Sequence, residues 1–153
     1  MAVQVFILDQ IFLFGFISPM IYVLFILLLP IRINLPLYLI TAFGYGLILD
    51  YFQDTGGANA AACLTLAFSR NFLLKIVYGE SYKLKNLKII NCEFNRLTLF
   101  LVLAIFLHHL VFYLLVIFNI AQILEIVKMA LLVSIASFVV SFLTVLLIKP
   151  KRS

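Results

Sequence analysis

Asp50 and Asp54 stand four residues apart in GLILDYFQDTGGANAAACLTLAF, and His108 and His109 are adjacent in LAIFLHHLVFYLL. In a chain with only six acidic residues and two histidines, these are the groups able to hold a metal, move a proton or activate a nucleophile. The spacing of the histidines argues against a shared metal. Neighbours on a helix point about 100° apart, so the histidines do not converge on one ion as an i, i+4 pair would. HExxH, CxxC, GxSxG and a phosphate-binding glycine loop are missing from the sequence. The expectation is therefore a non-enzymatic chain with no catalytic set, no metal and no cofactor. An ionisable residue inside a span is a functional candidate by default. Here packing is the expected role, with His109 and Tyr113, at i and i+4, in polar contact within a bundle.

Composition says what must position these residues. The chain is 66% hydrophobic and 11% charged, with a mean hydropathy of +1.25 over 153 residues. A soluble chain of this size needs more charge than that to cover its surface, and the Leu, Ile, Val and Phe content suits lipid-facing helices. The apolar runs are too long, and too little alternating, for barrel strands. The reading is a single all-α integral membrane domain, residues 1–153. MAVQVFILDQIFLFGF has neither a basic leading segment nor a small-x-small cleavage site, so it is not expected to be a cleavable signal. Cys63 and Cys92 are read as two unpaired thiols.

The apolar runs are Val3 to Phe16, Met20 to Leu29, Pro36 to Leu49, Ala58 to about Tyr78, Leu97 to Phe118 and Ala130 to Ile148. The last two reach the roughly 20 residues that a hydrocarbon core demands. Gly15 and Pro19 break the first stretch, which leaves three options: one kinked helix, a hairpin of short arms, or a re-entrant element. Five to six spans follow. Lys83, Lys85, Lys88 and Arg96 in the loop 79–96, and the basic tail 149–153, are cytoplasmic by the positive-inside rule. Arg70 and Lys75 would close the preceding helix on that same side, with Arg32 also inside and Asp50 to Gly57 outside. Leu84, Leu87, Ile90 and Phe94 recur at helical spacing opposite Lys85, Lys88 and Arg96. That pattern fits a helix lying on anionic lipid headgroups, and a solvated basic loop is the other reading. No nucleic-acid partner is expected.

Three local features remain. Ala130, Ser134, Ser137, Ser141 and Thr144 form a stripe of small residues, a helix-packing face. Glu125 and Lys128, at i and i+3, can pair on the surface. Gly56, Gly57 and the alanines after them give a tight turn and a slender helix start, which Asp54 or Thr55 could cap. Asp50 sits at the wrong end of its own helix dipole for an anion. It needs a partner: Asn59, the amides after Gly57, or a group on another protein.

Gly46-Leu47-Ile48-Leu49-Asp50 followed by Gly57-Ala58-Asn59-Ala60 resembles the MreD family of the bacterial rod-shape machinery, as does the Gln…Gly…Pro pattern of the amino-terminal stretch. Asn59 stands where many members carry His. The resemblance implies a fold similar to the six-helix substrate-binding subunits of ECF vitamin transporters. It also implies a non-enzymatic role in the inner membrane: binding an MreC-like protein within a complex that holds MreB, RodA and a class B penicillin-binding transpeptidase. Through that complex it would help control lateral peptidoglycan synthesis. Candidate partner contacts are Asp50, Asp54, Gly57 and Asn59. The alternative is a substrate-binding subunit of a small-solute transporter, which that fold would also allow.

Overall fold

The computed structural model describes residues 19–30, 34–79 and 93–148. Among them the elements are α1 (Tyr22–Leu28), α2 (Leu35–Gln53), α3 (Ala58–Tyr78), α4 (Phe94–Ile117), a 3-10 turn at Ile120–Gln122, and α5 (Ile123–Ile148). Helices α2, α3, α4 and α5 are each long and apolar enough to cross a membrane. At seven residues α1 is roughly 10 Å long, a third of a bilayer core. The described chain is thus an all-α, multi-span membrane protein with four candidate spans. Val3 to Phe16 lies outside the described residues, and with it the choice between five and six spans. Ahead of α1, Pro19 and Met20 are non-helical.

Helices consecutive in sequence pack side by side: α2 on α3, α3 on α4, and α4 on α5, with α1 lying against α3 and α4. The surface is turned outward in the sense that lipid favours. Large apolar side chains face out, among them Ile40, Phe68, Phe72, Ile135 and Leu147. The interior combines large apolar side chains such as Leu27, Leu49, Leu66, Phe100 and Ile105 with small and polar ones: Ala58, Ala60, Ala62, Ala67, Ala104 and Ala130 are buried, as are Asn59, Arg70, His108, His109, Ser137 and Ser141. Between helices already in lipid there is no hydrophobic gain from burying more leucine. Close approach and interhelical hydrogen bonds hold them together instead.

The spans outrun their apolar cores. α4 begins at Phe94, three residues before the apolar run, and Arg96 therefore belongs to its first turn rather than to the preceding loop. There it pairs with Glu93 at 3.1 Å. α5 begins at Ile123, ahead of the expected Ala130, continuing from a 3-10 turn that Asn119 caps, and its first-turn Glu125 suits the positive end of the helix dipole. Glu125 also pairs with Lys128 at 3.8 Å, both exposed. Lys83, Lys85, Lys88 and the amphipathic pattern from Leu84 lie outside the described residues up to Phe94, as does the basic tail.

The stripe on α5 faces the bundle. Ala130, Ser134, Ser137 and Ser141 are buried and Thr144 half-buried, its hydroxyl donating to the Val140 carbonyl at 2.8 Å. α4 is the principal neighbour of that face.

Candidate functional site: an acid-capped joint and a short helix tied to all four spans

α2 and α3 come close together at Gly46. A Cβ there would stand 2.4 Å from the Ala60 Cα and 2.7 Å from its nitrogen, so glycine is a condition of the contact. Tyr38, Ala42, Gly46 and Asp50 recur every four residues along the buried face of α2. Gly46 thus brings the backbones together, and one turn later Asp50 reaches across.

Asp50 serves both helices. Its carbonyl accepts the Asp54 amide that ends α2. Its carboxylate caps α3: Oδ1 accepts from the Asn59 amide and Oδ2 from the Ala60 amide, each at 2.9 Å, and the Thr55 hydroxyl also donates to Oδ1. The N-cap residue of α3 is Gly57, at φ 97°, which has no side chain to offer. Asn59 and Ala60 carry the two amides that an N-cap side chain would normally satisfy. The preceding helix supplies the missing cap, and the positive end of α3 accounts for an anion at the negative end of α2. Asp54 takes the other role. It is exposed, in left-handed conformation at φ 52°, and closes α2 without capping α3. The cap expected from Asp54 or Thr55 is therefore Asp50, with Thr55 buttressing it; a tight turn can bring the end of one helix to the start of the next.

From this joint a chain of hydrogen bonds runs into the bundle. The Asn59 amide donates to Gln53 Oε1 at 2.8 Å and to Thr55 Oγ1 at 2.7 Å. Its oxygen faces the Tyr22 hydroxyl at 2.5 Å, so Tyr22 is the donor there. The single hydroxyl proton being used, His108 Nε2, at 2.9 Å, must donate to Tyr22. Every donor in the sequence His108, Tyr22, Asn59, Thr55 points toward Asp50. His109 turns the other way. Its Nδ1–H donates to the Ile105 carbonyl at 2.7 Å, which leaves Nε2 to accept from Ser137 at 3.2 Å. Its partners are thus Ile105 and Ser137 in place of the expected Tyr113. Long side chains on a helix lean toward its amino end, where the i−4 carbonyl lies. The adjacent histidines carry their protons on opposite ring nitrogens, and among the described residues no group of three or more His, Cys, Asp or Glu could hold a metal.

Helix α1 is the meeting point. Ser137 of α5 accepts the Met20 amide just ahead of it at 2.8 Å. Tyr22 binds Asn59 of α3 and His108 of α4. At the far end Tyr38 of α2 donates to the Ile26 carbonyl at 2.9 Å. Arg70 of α3 donates to the carbonyls of Leu27, at 2.9 Å, and Leu29, with Pro30 at 3.5 Å. A seven-residue helix is thereby tied by polar bonds to all four spans.

Arg70 is the largest departure from the sequence-based expectation. It does not close its helix at a membrane surface. α3 continues roughly 12 Å further, to Tyr78, and Arg70 is 1% exposed. Its guanidinium lies 5.0 Å from the centre of the Tyr38 ring, a cation–π contact, and supplies donors to the carbonyls that α1 leaves open at its negative end. The signal was legible: Leu66, Arg70, Leu73, Leu74 and Val77 share one buried helical face. Lys75, by contrast, is exposed in the last turn, as expected. Tyr22 and Gln53 were also missed, each being an unremarkable member of an apolar run or a loop.

Arg70→Met removes the donors to three carbonyls in a dry setting while relieving the burial cost of the charge. The expected net loss is about 2 kcal/mol of stability, seen as a lower unfolding temperature in detergent. Arg70→Lys should restore only part of it, because an ammonium lacks the fork that reaches several carbonyls at once.

These features define a polytopic helical membrane protein whose buried Asp50, Asn59, Arg70, His108 and His109 each bond to groups of other parts of the chain or to backbone. No protein-family model, curated protein or solved structure matches the chain.

Proposed function

We propose that this chain is a non-enzymatic membrane subunit of the MreD kind. In this reading it binds an MreC-like single-span protein in the bacterial inner membrane, with its carboxyl end in the cytoplasm. Through that protein it acts with MreB, RodA and a class B transpeptidase in lateral peptidoglycan synthesis and cell shape. The observation that carries the reading is the joint itself. Gly46, Asp50, Gly57, Asn59 and Ala60, the residues on which the resemblance rests, converge at one place and each has a physical task there. A second support is that Asn59, His108 and Arg70 bond to α1 and its flanks, where a solute-binding subunit would aim such groups at a ligand.

Within this reading the four candidate contacts divide. Asp50 and Asn59 are buried and hold the joint, whereas Asp54 is exposed and Gly57 half-exposed. Asp54 stands beside Tyr51, 86% exposed, and Phe52, 54% exposed, whose rings meet edge to face at 5.6 Å. This acidic and aromatic corner is the part of the motif that a partner can touch. Co-purification from detergent with an MreC-like protein is the test. Asp54→Asn, which removes the charge and tolerates the left-handed conformation, is expected to reduce recovery of the partner about tenfold, the effect of losing a contact worth some 1.4 kcal/mol, with the unfolding temperature unchanged. Unchanged recovery would remove Asp54 from the interface. If the chain purifies alone and native mass spectrometry finds a small solute on it, the transporter reading replaces this one.

A further inference from the structure

The Tyr22 hydroxyl joins α1, the start of α3 and the middle of α4 at one point. It donates to Asn59 at the start of α3 and receives from His108 in the middle of α4, and it belongs to α1. Asn59 then contacts both residues that shape the turn after α2, Gln53 and Thr55, and Thr55 donates to the capping carboxylate. Tyr22 reaches Asn59 through its side-chain oxygen, while Asp50 holds the backbone amide of the same residue.

We propose that this chain couples the short helix α1 to the Asp50–Gly57 turn, so that a displacement of α1 loosens the cap of α3 and a change at the turn loosens α1. The inference is independent of the partner proposed above, since it concerns only how two parts of this chain share free energy. Its physical basis is the shared proton direction. With Tyr22 absent as donor, the Asn59 oxygen is unsatisfied in a buried site, and the amide gains by rotating to find another donor. Rotation withdraws its two N–H groups from Gln53 and Thr55, and Thr55 is then free to leave the carboxylate. Networks of this sort respond as units. The other end of α1 is held by a separate set, Tyr38 and Arg70, which does not reach the turn. That separation makes the coupling specific to Tyr22, and linkage makes it reciprocal.

The test is amide hydrogen exchange on the full chain in detergent, followed over residues 57–62 and 22–28. Tyr22→Phe is expected to speed exchange across 57–62 about tenfold, the factor expected for one lost buried hydrogen bond transmitted to the cap. Tyr38→Phe, which removes a hydroxyl from the opposite end of α1, should leave 57–62 unchanged. Thr55→Val should speed exchange in 22–28, although Thr55 does not contact α1. Unchanged exchange over 57–62 in Tyr22→Phe would overturn the proposal, as would an equal rise in Tyr38→Phe, which would mean only that α1 had loosened in general. Should Tyr22→Phe fail to fold, the Thr55→Val measurement decides alone, and protected residues 22–28 would refute the coupling.

Discussion

Asp50→Ala is expected to cost about 4 kcal/mol, because two buried amides at the start of α3 and the Thr55 hydroxyl lose a charged acceptor together. For a chain of this size that corresponds to a fall of roughly 10 °C in unfolding temperature. Asp50→Asn should lie between the two. Its one carbonyl oxygen can serve one amide, while its NH2 group confronts the other donor to donor. The loss is then about 2 kcal/mol, close to one unsatisfied buried donor. Thermal unfolding followed by circular dichroism in detergent reads both. An Asp50→Ala protein as stable as the parent would mean that other groups, or water, cap α3. Asp54→Asn supplies the contrast: the side chain is exposed, accepts no bond from α3, and asparagine tolerates the left-handed conformation at this position, so a change within about 0.5 kcal/mol is expected.

Gly46→Val should be comparably damaging for a different reason. The obstacle at this position is backbone, with the Ala60 Cα 2.4 Å and the Asn59 oxygen 2.8 Å from the added Cβ. A flexible neighbour can swing aside, but a helix start must move as a body. Separating α2 from α3 also draws Asp50 away from the amides it caps, so the overpacking penalty of about 1–3 kcal/mol and the cap loss act together. Gly46→Ala is the sharper experiment. Alanine improves helix propensity by about 1 kcal/mol over glycine, so a loosely packed site would be stabilised by the change. The contact predicts the opposite sign, a lower unfolding temperature. Gly44 provides the control: nothing stands within 4 Å of a Cβ there, and Gly44→Ala is expected to stabilise.

Several long-range features follow from these two positions. Glycine at 46 and alanine at 58, 60 and 62 permit α2 and α3 to approach closely, and only at that separation does a side chain as short as aspartate bridge them. A longer acid, Asp50→Glu, would carry its carboxylate past the amides of Asn59 and Ala60. The joint thus depends on one small residue and one short acid a single helical turn apart.

The sequence by itself determined the class of protein and most of its spans. Apolar runs of sufficient length, in a chain so poor in charge, have no soluble solution, since every backbone group in lipid must bond within its own segment. It also determined that His108 and His109 face different neighbours, because the angle between adjacent helical residues is fixed by geometry. The Glu125–Lys128 pair followed from spacing alone. Helix ends were less legible: Asn95 and Arg96 in α4, and Glu125 and Lys128 in α5, are polar residues within helices that run past the apolar stretches, and hydropathy alone stops short of them.

Only the tertiary structure decided which charges were internal. Arg70 and Lys75 lie five residues apart in the same span and differ in kind, one capping a neighbour's carbonyls and the other exposed. Asp50 and Asp54 divide likewise. A charge in an apolar chain is stable in lipid where another segment presents the complementary end of its backbone, and that segment can lie anywhere in the sequence. Arg70 meets the open carbonyls of α1, some forty residues away, and Asp50 meets the open amides of α3 across a tight turn. Local pattern marks a residue as buried. The partner that makes its burial tolerable is a property of how the helices come together.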